Sequence, residues 1–148
     1  MDDLMLVQQI LNSKANDNVI SVAPKTTIAE AAAILTKHKI GTVIISEDGK
    51  TATGVLSERD IVRAIVHRGT QALNAHVDDF MTRKIVTCRR EATADQVLKI
   101  MTDRRFRHLP VVENGEMIGL ITQGDVVKAK LSELAMEKDA LEGMIMGY

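Results

Sequence analysis

Gly54-Val55-Leu56-Ser57-Glu58-Arg59-Asp60 and Gly119-Leu120-Ile121-Thr122-Gln123-Gly124-Asp125 are two copies of one pattern, 65 residues apart. Each has a glycine, two apolar residues, a hydroxyl and an aspartate three residues after that hydroxyl. Working outward, Glu47-Asp48-Gly49 matches Glu113-Asn114-Gly115, and Thr27-Ile28-Ala29-Glu30 matches Thr93-Ala94-Asp95-Gln96. Val19-Ile20-Ser21-Val22 matches Ile85-Val86-Thr87-Cys88. These blocks lie 66 apart, so one residue is extra in the first copy, near Lys50 to Thr53. Stacked repeats need about three units for stability, so two copies indicate a pseudo-symmetric pair.

Each copy reads in the same order. A short apolar strand (19–22, 85–88) precedes a capping box, Thr27 with Glu30 or Thr93 with Gln96. Apolar residues at helical spacing follow: Ile28, Ala32 and Leu35, then Val97, Ile100 and Met101. Two β-rich runs flank Asp48-Gly49 and Asn114-Gly115, dipeptides that favour hairpin turns with positive φ. A second helix follows Asp60 and Asp125. The expected fold class is α/β (α+β), with β-α-β-β-α occurring twice. Leu4, Val7 and Leu11 form a stripe on a short N-terminal helix. Val127, Leu131, Leu134, Leu141 and Ile145 form one on a long C-terminal helix that outruns its lobe. That stripe needs either the N-terminal helix or a second chain against it.

The 148 residues are 45% apolar and 26% charged, which is globular composition. The net charge of −1 excludes a global pull toward nucleic acid or membrane. Three aromatics leave an aliphatic core with methionine as filler. Cys88 is the only cysteine, which excludes a disulfide framework and a CxxC site. The acidic start and short apolar runs predict neither a signal peptide nor a spanning helix. A soluble, cytoplasmic protein is therefore expected.

Catalytic patterns are missing. His38, His67, His76 and His108 contain no pair at local zinc spacing, so no metal site is expected. GxSxG and GxGxxG are absent. Gly49-Lys50-Thr51 resembles the end of a P-loop, but Ile44 stands where its first glycine belongs. No catalytic residue is assigned, and the chain does not read as an enzyme.

The motifs that remain are Ser57 to Asp60 and Thr122 to Asp125. Each is a legitimate capping box. Each also places a carboxylate at a helix start, where it can accept two hydrogen bonds from the vicinal hydroxyls of a ribose. The acid would repel a phosphate, which then needs a cation elsewhere. Eight Arg and Lys between Arg83 and Arg107 face only Glu91, Asp95 and Asp103, so the segment carries about +5. Lys99, Arg104 and Arg105 read as a solvated helix face. Arg107-His108 directly precedes the apolar strand Leu109-Pro110-Val111-Val112 and sits at a strand mouth.

With Phe106-Arg107-His108-Leu109-Pro110-Val111-Val112 and Val77-Asp78-Asp79-Phe80-Met81-Thr82, these blocks resemble a tandem pair of CBS (cystathionine β-synthase) domains, a Bateman module. The resemblance covers residues 17–132. It implies a first CBS domain at 17–68, a linker at 69–82, a second domain at 83–132 and a C-terminal helix at 133–148. It implies two copies packed sheet to sheet, a homodimer in the form of a flat disc, and a regulatory module that signals energy state to a separate protein. AMP, ATP or NAD would bind between the copies as a regulatory ligand, AMP first among them, and not as a catalytic cofactor. The resemblance implies a first cleft of Ser57, Asp60, Thr87, Cys88, Arg107, His108, Leu109 and Pro110. The second would hold Ser21, Val22, Lys25, Gly41, Thr42, Val43, Thr122 and Asp125. Arg107 suits a phosphate, so the Asp60 cleft is expected to bind the phosphorylated ligand more tightly. Lys25 is the expected cation of the Asp125 cleft, which is weaker, empty or takes another adenosyl group. The alternatives are a ligand-free interaction module and, more weakly, a nucleic-acid binder using segment 83–107, which lacks an aromatic platform.

Overall fold

The computed structural model describes residues 5–14 and 19–146; Leu4 of the N-terminal stripe lies outside them. The elements are α1 (Val7–Ser13), β1 (Ser21–Val22), α2 (Ile28–His38), β2 (Thr42–Ile45), β3 (Gly54–Ser57) and α3 (Glu58–Arg68). Two 3₁₀ turns follow, at Gly69–Asn74 and Val77–Asp79. Then come α4 (Ala94–Arg104), β4 (His108–Glu113), β5 (Glu116–Thr122) and α5 (Gln123–Met146). This is a mixed α/β fold with two small sheets, β1-β2-β3 and β4-β5.

The two lobes have separate aliphatic cores. Ile28, Ala31, Leu35, Val43, Ile45 and Leu56 fill the first, and Val97, Met101, Leu109, Val111, Ile121 and Val126 the second. Thr27 and Thr93 cap α2 and α4 by accepting from the backbone N–H three residues on, each at 3.1 Å. Gln96 completes the capping box at Thr93, its Oε1 accepting from the Thr93 N–H at 2.9 Å.

The first strand of the second copy is reduced to one bridge, Cys88 with Val111. Cys88 N–H donates to Pro110 O and Val112 N–H donates to Cys88 O, at 3.0 and 2.9 Å. Extending that parallel ladder to Val86 needs a donor at position 110, and proline has none. In the first lobe Ile44 stands at that place and donates to Ile20 O at 3.2 Å.

The two hairpins also differ. Asn114 and Gly115 both have positive φ (53° and 80°) and close a two-residue turn between β4 and β5. In the first lobe only Gly49 does (φ 76°), within the longer connection from Ser46 to Thr53. There Asp48 Oδ1 accepts from the N–H groups of Lys50 and Thr51, each at 2.8 Å, and shapes the loop itself.

Each lobe is covered by the segment that leads into the other. Val77 N–H donates to Thr26 O, and Val7 N–H donates to Ala92 O, both at 2.8 Å. Ile28 N–H reaches Ala75 O at 2.9 Å, and Ala94 N–H reaches Met5 O at 2.8 Å. Residues 5–14 are therefore the counterpart of 75–84, at an offset of 70 instead of 66. The same symmetry holds at two glycines. A Cβ on Gly54 would meet Met81, and one on Gly119 would meet Leu11 at 2.9 Å. The lobes are joined by Met117 N–H donating to Lys50 O (2.7 Å) and by a Thr42–His108 side-chain hydrogen bond (3.1 Å).

Candidate functional site: two unequal clefts

β3 runs into α3 without a loop, so Ser57 ends the strand and caps the helix. Its N–H donates to Asp60 Oδ2 at 2.9 Å and its hydroxyl to the same oxygen at 3.2 Å. Asp60 is 3% exposed. Its Oδ1 has longer contacts, 3.2 Å to Arg63 Nη1 and 3.5 Å to Thr82 Oγ1. The capping role is therefore real, and it leaves Oδ1 as the weakly held oxygen.

That carboxylate lies at a cavity of roughly 190 Å³ between the lobes. Gly41, Thr42, Val55, Ser57, Glu58, Arg59, Asp60 and Thr82 line one side, and Arg105, Phe106, Arg107 and His108 the other. Three arginines and two acids, Asp60 and Glu58, thus line one space, a set able to hold a sugar at an acid and an anion at an arginine. Arg105, read as solvated from the sequence, belongs here because it ends α4 in the left-handed conformation (φ 59°), just before Phe106 and β4. Arg59 and Thr82 also went unnoticed in the sequence, since only the fold brings the connecting segment across β3. Thr82 pairs with Val55 through an isolated bridge.

His108 sits between the clefts. Burial holds its pKa below the usual 6.5, and the Arg107 and Lys14 charges push the same way, against Asp125 and Glu58. The neutral ring then shares its Nδ1 with the Thr42 hydroxyl.

At the second motif Thr122 N–H donates to Asp125 Oδ2 at 2.9 Å, and Asp125 N–H to Thr122 Oγ1 at 3.1 Å. The cap is the same; the occupant differs. Lys14 places its ammonium 2.9 Å from Asp125 Oδ2 and donates to Leu120 O at 2.8 Å. Burial alone would raise the Asp125 carboxyl, but the Lys14 ammonium and the Thr122 N–H outweigh it and hold the pKa below 3.8. Lys25, the cation expected here, pairs instead with Asp78 at 3.1 Å, on the segment that covers the first lobe.

The other expected residues are spread out. Gly41 and Thr42, assigned to the second cleft, line the Asp60 cavity. Ser21 and Val22 form β1 and pair with Ile44 and Ile45; Val22 and Val43 are buried in the first core. Thr87 and Cys88 line surface grooves beside α4 and the Asn114-Gly115 turn. They lie outside the Asp60 cavity because the short Cys88 bridge is on the far side of β4 from Val111's antiparallel partner, Gly119. Leu109 and Pro110 are buried. Burial pushes the Cys88 thiol up to about 11, so it is not a reactive nucleophile. His76, Asp78 and Asp79 bring possible metal-ligand atoms within 4.8 Å of one another, with Asp78 already bound to Lys25.

In the basic segment, Arg83 donates to Asp78 O, Arg90 pairs with Glu113, and Lys99 pairs with Asp103. No described helix is long and apolar enough to cross a membrane.

Among known proteins, the family profile described as "CBS domain" matches residues 7–67 and 77–132. The chain is similar to the mitochondrial CBS domain-containing protein CBSX3 of Arabidopsis thaliana, 33% identical over 82% of this chain and 61% of that protein's length. The fold is similar to a CBS-domain containing protein of Agrobacterium tumefaciens, with a TM-score of 0.81 and 42% identity over 85% of this chain and 99% of that one. It is also similar to CBSX2 solved in complex with AMP, with a TM-score of 0.72 and 26% identity over 86% and 97% of the two chains.

Proposed function

This chain belongs to the CBS-domain family, and from that premise we propose that it is a non-catalytic regulatory module binding one adenosyl ligand in the Asp60 cleft. AMP is the leading candidate, because CBSX2 was solved with AMP. The observation that carries the reading is the inter-lobe cavity, which buried Asp60 lines together with Arg59, Arg105 and Arg107. The ribose hydroxyls donate to Asp60 Oδ1, displacing the long contacts from Thr82 and Arg63. The phosphate meets Arg107, with Arg105 and Arg59 beside it. The base lies against the aliphatic strand mouths, where backbone groups after Arg107 and Gly41 read its edge. The ligand signals to a separate protein by changing how the two lobes meet at Thr42 and His108.

A second reading, a ligand-free interaction module, draws on the fact that both aspartates already complete capping boxes. Thermal shift with AMP, ATP, NAD and S-adenosylmethionine separates the two. At a hundred times its Kd, a ligand adds about 2.7 kcal/mol of apparent stability. A shift lost in Asp60→Asn supports the proposal; no shift with any of the four overturns it and leaves the second reading.

A further inference from the structure

The two motif helices start alike and differ in one charge. Glu58 and Gln123 are the first residues of α3 and α5. Each turns its N–H onto the residue that leads into the neighbouring strand. Glu58 N–H donates to Gly41 O at 3.1 Å, and Gln123 N–H donates to Arg107 O at 2.9 Å. These pairs are equivalent in the repeat, so Gln123 is the neutral counterpart of Glu58. The first turn of α3 therefore holds two acids, Glu58 and Asp60, where that of α5 holds Asp125 alone. Both acids of α3 line the cavity between the lobes. Asp60 is committed to Ser57 and Arg63. Glu58 rests against Gly41, where an added Cβ would lie 3.6 Å from its Oε1. Lys39 lines the adjoining groove with it, but among the described residues no ion pair includes Glu58.

A helix start ordinarily seats phosphate well, through its unpaired N–H groups and its dipole. At α3 that seat is taken. Asp60 holds the Ser57 N–H, Gly41 O holds the Glu58 N–H, and Ser57 Oγ holds the Asp60 N–H. The phosphate must then go to the arginines, of which three line the cavity against two acids. A phosphate monoester carries about −2 near neutral pH, and Arg107 with Arg59 and Arg105 can meet that charge. Each further phosphate adds negative charge and length within a space of roughly 190 Å³, and Glu58 is part of its wall. We propose that Glu58 sets the phosphate count of the ligand: its carboxylate holds the Asp60 cleft to a nucleoside monophosphate and turns di- and triphosphates away.

The inference rests on the Asp60 cleft being the adenosyl site, and the test separates the two claims. The full chain is titrated calorimetrically with AMP, ADP and ATP in buffer freed of divalent cations by a chelator. The wild type is expected to bind AMP at least about tenfold more tightly than ATP, with ADP between them. Glu58→Gln is expected to tighten ATP about tenfold and to change AMP less than about threefold, so the preference nearly vanishes. The fold accepts glutamine at this place in α5, and the side chain of Glu58 is exposed. Glu58→Asp retains the charge and is expected to retain the preference for AMP. Gln123→Glu, at the equivalent place of the other motif, is expected to leave that preference unchanged. No binding of AMP by the wild type overturns the reading of the cleft and this inference with it. AMP bound no more tightly than ATP overturns the inference alone. A preference that survives in Glu58→Gln, or is lost in Glu58→Asp, overturns the role of the Glu58 charge.

Discussion

The Asp60 and Asp125 clefts have the same scaffold and different occupants. In each, a strand ends in a hydroxyl residue that caps a helix, and the aspartate three residues on accepts from that residue's N–H at 2.9 Å. In each, the segment leading into the opposite repeat folds across the motif. From that segment Thr82 reaches Asp60 through a neutral contact of 3.5 Å, whereas Lys14 reaches Asp125 through an ion pair of 2.9 Å. Duplication thus reproduces the backbone, and the covering segment brings a neutral hydroxyl to one acid and an ammonium to the other. Lys14 also donates to Leu120 O, so withdrawing it would cost that carbonyl a donor and Asp125 its counter-charge. The two carboxylates are unequal because the second already carries an ion pair from its own chain.

The most severe way to break the comparison is to neutralise each acid in turn. Asp60→Asn is expected to weaken AMP binding about 10- to 100-fold, the range of a charged hydrogen bond. Asp125→Asn should change it less than about threefold, for want of a ligand there. Titration calorimetry reads both, and equal losses would erase the distinction. Lys14→Met sharpens it from the other side. With the ammonium gone, the stoichiometry of AMP is expected to rise from one per chain toward two, the second event being the weaker. A stoichiometry that stays at one would mean that Lys14 is not what closes the cleft.

Arg107→Met tests the rim. A loss of about tenfold is expected for AMP and almost none for adenosine, because only the phosphate uses the guanidinium. The smallest effect concerns His108. Its pKa is held below 6.5, so the unfolded chain binds the extra proton first. Its contribution to stability is complete above about 6.5 and shrinks as pH falls below that value. Melting temperatures at pH 7.5 and 5.5 should converge slightly in His108→Gln relative to the wild type.

Much of this was legible from residues alone. The duplicated Gly-to-Asp blocks and the Thr caps specify two α/β lobes because caps and turns are local devices. Arg107 and His108 were placed at a strand mouth by the apolar run after them. What escaped reading depends on long-range packing. Four extra residues before Val19 shift the leading segments to an offset of 70, which hides the equivalence of 5–14 and 75–84, and with it the path of Lys14 to Asp125. Lys25 looked closer in sequence logic, but its partner Asp78 arrives on the segment covering the other lobe. The strand at 85–88 failed because Pro110 lacks the one donor its ladder required. Arg105 joined the cavity through a backbone turn at the end of α4 that composition does not announce.

A crystal structure of the full chain grown with AMP tests the central claim most directly. The account predicts nucleotide between the lobes with both ribose hydroxyls within hydrogen-bond distance of Asp60, phosphate near Arg107, and Lys14 still on Asp125. Nucleotide seated at Asp125 with Lys14 displaced, and none at Asp60, would contradict it.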